Sequence, residues 1–348
     1  MGKKLLLIRL SSLGDVIHTI PLANSLKKAG YELTWLVSEK GIQVLDGNSC
    51  VDKVILAPLQ KWKKRGVSLE NFKEYLDILK QIRAEKFDIA LDTHMMMKSL
   101  IWTKFCGAKR RIISKQAKEL SILGANEFIP RISDGFNSSV VKNYMKYAEY
   151  LGCDVENVEV TLPERSEEVK TKVDELLNNI KKPLVVIAPA TTWVPKFWNR
   201  DNWKELIEKI KDKCDIVFTG GPNDNELISY IGGDNFLNLA GKTSILELAE
   251  VFSRADVVIS PDSGSTHLAW ATQKPAVITI FTCTPLKYFA PVGDENKYIA
   301  LSGNLPCQPC YKHKCKLKDN SCACTYYPKS DEVANIVNDL LSKKQDLV

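Results

Sequence analysis

Short, nearly uninterrupted apolar runs alternate with stretches of helical period along this chain, and that alternation constrains its fold more than any other feature. KLLLIRL (4–10), ELTWLVS (32–38), KVILA (53–57) and FDIALDTH (87–94) fall in the first hundred residues. PLVVIAPA (183–190), CDIVFTGG (214–221), NFLNLAG (235–241), DVVISPDSG (256–264) and AVITIF (276–281) repeat the grammar later. Strands covered on both faces read this way, and the amphipathic stretches between them supply crossover helices. Helical spacing is visible over Asp15–Lys28, Asn71–Glu85, Asp134–Leu151, Glu167–Ile180, Trp203–Lys211, Asn225–Ile231, Ile245–Arg254 and Ser330–Leu341. Ser114–Pro130 reads as loop and short helix.

At 348 residues the chain exceeds one ordinary open α/β domain and suits two. The charged segment from Pro163 to Lys182 reads as their connection. The expected organisation is an α/β fold of two Rossmann-like domains, 1–162 and 163–348. The apolar run Leu5–Ile8 is far too short for a bilayer span and lacks the marks of a secretory signal, so a cytoplasmic protein is expected. The net charge of +6 fits an anionic partner such as a nucleotide, a phosphorylated glycolipid or a membrane surface. No long basic stripe is interleaved with aromatics, so nucleic acid is not expected as a partner.

Several segments carry residues suited to chemistry. In RLSSLGDVIHTIPL (9–22) a strand runs through Ser12 and Gly14 to Asp15, which opens a helix. Gly14 suits a tight turn. Asp15 is either a helix cap, which the spacing alone favours, or a general base at the carboxyl end of the sheet. In APATTWVPKFWNRDNW (188–203), Thr191, Thr192 and Lys196 offer two hydroxyls and an ammonium to a diphosphate, or form a polar surface loop. In SPDSGSTHLAWATQKP (260–275), Gly264 and the following backbone N–H groups suit a phosphate at a helix N-terminus. Ser263, Ser265 and Thr266 add hydroxyls there, Asp262 is suited to sugar hydroxyls or to capping, and His267 faces either ligand or core. In VFTGGPNDNE (217–226), Glu226, with Asp224 as rival, is placed to accept from ribose hydroxyls, unless this is a plain βα turn.

Two further groups stand out. The basic run Lys61, Lys63, Lys64 and Arg65 around Trp62, with Lys98 and the run Lys109–Arg111, would grip an acidic acceptor or lie solvated on the surface. Of ten cysteines, five crowd into CQPCYKHKCKLKDNSCAC: Cys307, Cys310, Cys315, Cys322 and Cys324, with His313 among them. They are metal-ligand candidates, but the spacing does not match a zinc ribbon, and reduced thiols or adventitious disulfides are the favoured reading.

Taken together, RLSSLGDVIHTIPL, ATTWVPKFW and DSGSTHLAWATQKP resemble, in order, the motifs of glycosyltransferase family 9, the ADP-heptose:lipopolysaccharide heptosyltransferases. KWKKR and MMMKS resemble the heptosyltransferase I group within it. The resemblance implies a GT-B architecture with two domains facing across a cleft, the first taking the acceptor and the second the donor. It implies inverting transfer from ADP-heptose to a Kdo–lipid A type glycolipid, without metal or cofactor, with transient contact at the inner face of the membrane. Carried over by position, Asp15 is the base, with Ser12, Gly14, Lys61, Lys63, Lys64 and Lys98 on the acceptor side. Thr191, Thr192, Lys196, Glu226, Asp262 and Ser263–His267 fall on the donor side. Ser263 and Ser265–Thr266 depart from the family's more usual Thr and Leu-Ser.

Overall fold

The structure is a computed structural model describing residues 2–315, 317 and 321–345. The chain divides after Glu164 into two compact units. In the first, strands β1 (Lys4–Ile8), β2 (Glu32–Val37), β3 (Lys53–Leu56), β4 (Ile89–Asp92), β5 (Arg110–Ser114) and β6 (Glu127–Ile129) form one parallel sheet in the order β3-β2-β1-β4-β5-β6. Its helices are α1 (Leu13–Lys28), α2 (Glu39–Ile42), α3 (Leu59–Arg65), α4 (Leu69–Ala84), α5 (Met97–Phe105) and α6 (Val140–Tyr150).

The second unit begins with α7 (Glu167–Leu176). Its strands are β7 (Leu184–Ile187), β8 (Asp215–Phe218), β9 (Leu237–Asn238), β10 (Val257–Pro261), β11 (Ala276–Phe281) and β12 (Tyr298–Ser302). They too are parallel, in the order β12-β11-β10-β7-β8-β9. Between and after them lie α8 (Arg200–Ile210), α9 (Asn225–Gly232), α10 (Ile245–Arg254), α11 (Gly264–Ala271), α12 (Leu286–Phe289) and α13 (Ser330–Gln345). Counted from each unit's own first strand, both orders are 3-2-1-4-5-6, the doubly wound dinucleotide-binding arrangement.

Local chemistry explains the element limits. β1 after Lys4, β4, β7 and β10 are buried throughout, as their apolar runs require. Helices start where a short polar side chain accepts from an otherwise unpaired N–H: Ser68 for α4, Ser166 for α7, Asn199 for α8. At α10 the cap is reciprocal, since Ser244 Oγ accepts from Glu247 N and Glu247 Oε2 accepts from Ser244 N at 2.7 Å. Gly30, with φ of +87°, follows the end of α1 in a conformation that a side chain disfavours.

Some expectations need correction. The helix expected from Asp134 begins only at Val140, because Ser139 caps it and Ser138 Oγ donates to Asp134 Oδ1 in the preceding turn. The segment 114–130, read as loop and short helix, also contributes β6, whose three residues are too few to show a period. NFLNLAG supplies only the two residues of β9. The basic runs are structured: Lys61–Arg65 lies on α3, and Arg110–Arg111 opens β5, with Arg110 paired to Glu127. Among the described residues, no helix is long and apolar enough to cross a membrane.

The core of the second unit gathers Val185, Ile187, Trp203, Leu206, Phe218 and Ile259 between its sheet and helices that include α8 and α13. Ile259 on central strand β10 is fully buried. Ile259→Ala should destabilise this unit by about 2–5 kcal/mol, seen as a lower urea midpoint at unchanged slope. Exposed Leu69→Ser should change stability by less than about 0.5 kcal/mol in the same experiment.

Candidate functional site

In a doubly wound sheet the winding direction reverses between two neighbouring strands, and the loops after them separate to leave a crevice at their carboxyl ends. In the first unit those strands are β1 and β4, and in the second β7 and β10. The motifs RLSSLGD, APATTWVPK and SPDSGSTH leave β1, β7 and β10, and the run FDIALDTH ends β4.

After β1, Asp15 sits in the first turn of α1. Its Oδ1 lies 2.7 Å from Arg9 Nη2, and its Oδ2 accepts from Ser12 N at 3.0 Å and Ser12 Oγ at 2.9 Å. Burial pushes this carboxyl's pKa up, but Arg9 and the Ser12 hydrogen bonds outweigh it and bring it down to about 2. Arg9 is itself buried, donates from Nη1 to the carbonyl of Thr93 at 2.6 Å, and lies over the Tyr144 ring. His94, after β4, is buried; burial first, then Arg9, lowers its pKa to about 4, so it is neutral near pH 7. Asp92 organises this loop, accepting from His94 N, Met95 N and Thr103 Oγ1. Gly14 is buried as the second residue of α1, a correction to its expected place in the turn.

The expected acceptor-side lysines differ in their freedom. Lys61 Nζ is 2.8 Å from Glu74, which also takes Arg65 and the indole N–H of Trp62. These partners, Lys61 foremost, bring the Glu74 carboxyl down to about 2. The Trp62 ring stacks on Trp102 of α5, so α3 is fastened to both α4 and α5. Lys63, Lys64 and Lys98 are exposed and make no ion pair among the described residues.

In the second unit, Lys196 ends a short 3-10 turn (Val194–Lys196), and its Nζ lies 2.8 Å from Asp262 Oδ2. His267 Nε2 lies 3.4 Å from Asp262 Oδ1. Asp262 is 3% exposed. Burial pushes its pKa up, yet His267 and Lys196 outweigh that and hold its carboxyl far below the usual range. Ser263 caps α11 and accepts from Ser265 N at 3.2 Å. Thr191 and Ser265 are half-buried and Thr192 is exposed. Thr266 needs correction as a phosphate donor: it is fully buried and its hydroxyl donates to the Pro261 carbonyl at 2.7 Å, fixing the turn. Of the ribose candidates, Glu226 is exposed on α9, whereas Asp224 is engaged by Gly221 N at 2.6 Å.

The cysteine-rich loop reaches the same region. Tyr311 N donates to the Cys283 carbonyl, and the rings of Tyr311 and His313 pack on Trp193, three residues before Lys196. Cys324 is buried, which with neighbouring Cys283, Cys322, Cys307 and Cys310 pushes its pKa up to about 12. Among the described residues, no three His, Cys, Asp or Glu side chains are arranged to hold a metal ion, so Cys307, Cys310, Cys315, Cys322 and Cys324 do not form such a set there.

Arg9, Asp92 and His94 join the site although motif spacing does not point to them. The available signal was positional, since all three stand at or just past the ends of strands legible as apolar runs.

A sequence model described as glycosyltransferase family 9 (heptosyltransferase) matches residues 75–320. That makes this protein an enzyme of glycosyl transfer. It belongs to glycosyltransferase family 9, the heptosyltransferases. The lipopolysaccharide core heptosyltransferase OpsX of Haemophilus influenzae is 28% identical over 289 residues, 80% of this chain and 79% of that protein. Lipopolysaccharide heptosyltransferase 1 of Escherichia coli K12 is 25% identical over 285 residues, 79% and 86% of the two chains. In fold, the chain is similar to a family 9 glycosyltransferase from Veillonella parvula (TM-score 0.81, 18% identity, 98% of each chain). It is also similar to E. coli heptosyltransferase WaaC solved with ADP (TM-score 0.74, 21% identity, 97% and 99%).

Lys196→Met would leave the Asp262 carboxylate without its ammonium partner. Such a loss at a buried pair costs about 3–5 kcal/mol. The double variant Lys196→Met/Asp262→Asn should recover a large part of this in a double-mutant cycle read by urea unfolding.

Proposed function

We propose that this enzyme transfers heptose from ADP-heptose to the Kdo/heptose inner core of lipopolysaccharide, by inversion and without a metal ion. The acceptor, a Kdo–lipid A type glycolipid, would be met at the cytoplasmic face of the membrane. The observation that carries the donor half is the pair of buried Asp262 and half-buried Lys196 beside the N-terminus of α11, at a crevice where sheets of this topology bind nucleotides. Membership of family 9 and the substrates named for its relatives supply the sugar and the acceptor.

In this reading Lys196, Thr191, Thr192, Ser265 and the first backbone N–H groups of α11 receive the diphosphate. Positive charge fixed where the leaving group gains negative charge lowers the barrier without reorganisation. Asp262 has two tasks: it holds Lys196 in place and offers carboxylate oxygens to heptose hydroxyls. Glu226, or Asp224 on release from Gly221, takes the ribose. Ser12, Lys61, Lys63, Lys64 and Lys98 meet the acidic acceptor.

Asp15 takes the acceptor proton. As the acceptor oxygen bonds to the anomeric carbon, the bond from that carbon to the β-phosphate oxygen breaks and ADP departs with its electron pair. With its pKa near 2, Asp15 is a weak base toward a ground-state hydroxyl. The hydroxyl becomes strongly acidic only once its oxygen bonds to an electron-poor sugar, so proton transfer comes late, when a weak base suffices. Arg9 keeps this carboxylate ionised and leaves its orientation to Ser12.

Titration calorimetry with ADP in the presence of chelator should show binding that Lys196→Ala weakens, with UDP binding less tightly. Asp15→Asn should leave ADP binding intact and lower transfer at least about a hundredfold. Retained transfer in that variant would remove Asp15 as base. The pH profile offers a further check. The wild-type Asp15 stays ionised above about pH 4, so it sets no acid limb near neutrality. In Arg9→Met burial acts without its main counter-charge, the Asp15 pKa rises, and an acid limb should move up into the measurable range.

A further inference from the structure

Helix α5 and the turn after it carry an exposed surface of which the sites above use only Lys98. On α5 the residues Met97, Lys98, Ile101, Lys104 and Phe105 are exposed, while Ser99, Trp102, Thr103 and Cys106 just beyond its end are buried. At about 100° per residue the exposed set falls within an arc of about 120°. A helix lying on a globular core normally turns polar residues outward. Here the outward arc is three large apolar side chains, 54%, 46% and 46% exposed for Met97, Ile101 and Phe105, with two lysines and no acid.

The neighbouring 3-10 helix, Ser121–Gly124, packs on α5: a Cβ added at Gly124 would meet Leu100 and Thr103. It extends the patch with Leu120 and Leu123, 64% and 60% exposed. Single exposed apolar residues are ordinary, but a helix stripe continued on an adjoining turn is a surface. In the same helical layer, the α3–α4 turn exposes Val67, Leu69 and Phe72 after Lys63 and Lys64.

Charge selects the partner. Residues 95–125 contain seven Lys and Arg and one acid, Glu119. That excess of six equals the excess of the entire chain, so outside this segment bases and acids balance. Arg110 is tied to Glu127 and Lys109 lies 3.6 Å from Asp88, but Lys98, Lys104, Lys115 and Lys118 make no ion pair among the described residues. Large apolar side chains at the centre of a lysine-bearing surface match a bilayer interface with anionic headgroups, where the apolar groups enter the acyl boundary and the lysines stay at headgroup level.

We infer that α5 and the Leu120–Leu123 turn form the surface by which this enzyme docks on an anionic lipid bilayer. The inference deepens the proposed function, because a lipid-linked acceptor is reached from that surface, and in that respect it rests on that reading. Docking here would bring the first unit to the headgroup layer without any spanning segment.

The test is flotation of the full chain with phosphatidylcholine vesicles made with or without phosphatidylglycerol. The wild type should float with the anionic vesicles, less so as salt is raised, and not with the neutral ones. Ile101→Ser/Phe105→Ser should weaken binding at least about tenfold, and Lys104→Glu should weaken it chiefly at low salt. All three residues are exposed, so circular dichroism and thermal unfolding should match wild type. Transfer to acceptor dispersed in detergent should also be unchanged.

Wild-type protein that does not float, or variants that float equally well, would overturn the inference. So would light scattering showing that Ile101→Ser/Phe105→Ser converts a dimer to a monomer, because the surface would then be an interface between copies. Failure of the functional reading looks different: vesicle binding would persist while wild-type enzyme transferred no heptose to the detergent-dispersed acceptor.

Discussion

In each sheet the chain reverses its winding between two neighbouring strands, and the chemistry described here depends on that reversal. A loop leaving a strand inside a continuous winding is covered by the next crossover. Loops leaving β1 and β4, or β7 and β10, turn away from each other and leave backbone and side chains open at the sheet's edge. Arg9, Asp15 and His94 come together at one reversal, and Lys196, Asp262 and His267 at the other. No other pair of adjacent strands in either sheet has this geometry.

These positions put charge where water is scarce, and the residues are arranged around that problem. Burial raises the pKa of Asp15 and Asp262, yet both are held as carboxylates, Asp15 by Arg9 and Ser12 and Asp262 by His267 and Lys196. The cations differ with the task. Arg9 is buried and fixed by Thr93 as well, so the charge opposing Asp15 cannot move away. Lys196 ends a 3-10 turn on a single flexible stem, so in the proposed reaction a diphosphate draws its ammonium without rebuilding the backbone. His94 is kept neutral by burial and by the same arginine, which avoids a second cation beside Asp15.

How much of this was legible beforehand follows from how each feature is encoded. The parallel α/β class was readable because doubly buried strands must be apolar along their length, and Ile245–Arg254 and Ala276–Phe281 were placed to the residue. Strand β5 was hidden because it opens with two arginines, and β6 because three residues carry no period. Motif spacing placed Asp15, Lys196 and Asp262 in the turns that follow strands. It could not separate Ser265, half-buried at the helix start, from Thr266, one residue on and turned inward to a carbonyl. Nor could it tell that Lys61 and Arg65 converge on Glu74 while Lys63 and Lys64 remain outside, since that depends on how α3 rests on α4. The cysteines illustrate the same limit. Their clustering is plain in the sequence, but the packing of Tyr311 and His313 on Trp193 depends on a loop path that no local pattern specifies.

Each unit completes its own six-stranded sheet from consecutive sequence, and the chain passes from one to the other after Glu164. Among the described residues, neither sheet borrows a strand from the other half. A lineage can therefore alter the residues at one winding reversal without disturbing the hydrogen-bond ladder that supports the other. On the proposed division of acceptor and donor between the units, descendants of such a chain are free to change what they accept while keeping what they donate, and recombination within the segment that joins the units would exchange whole halves rather than fragments of a core.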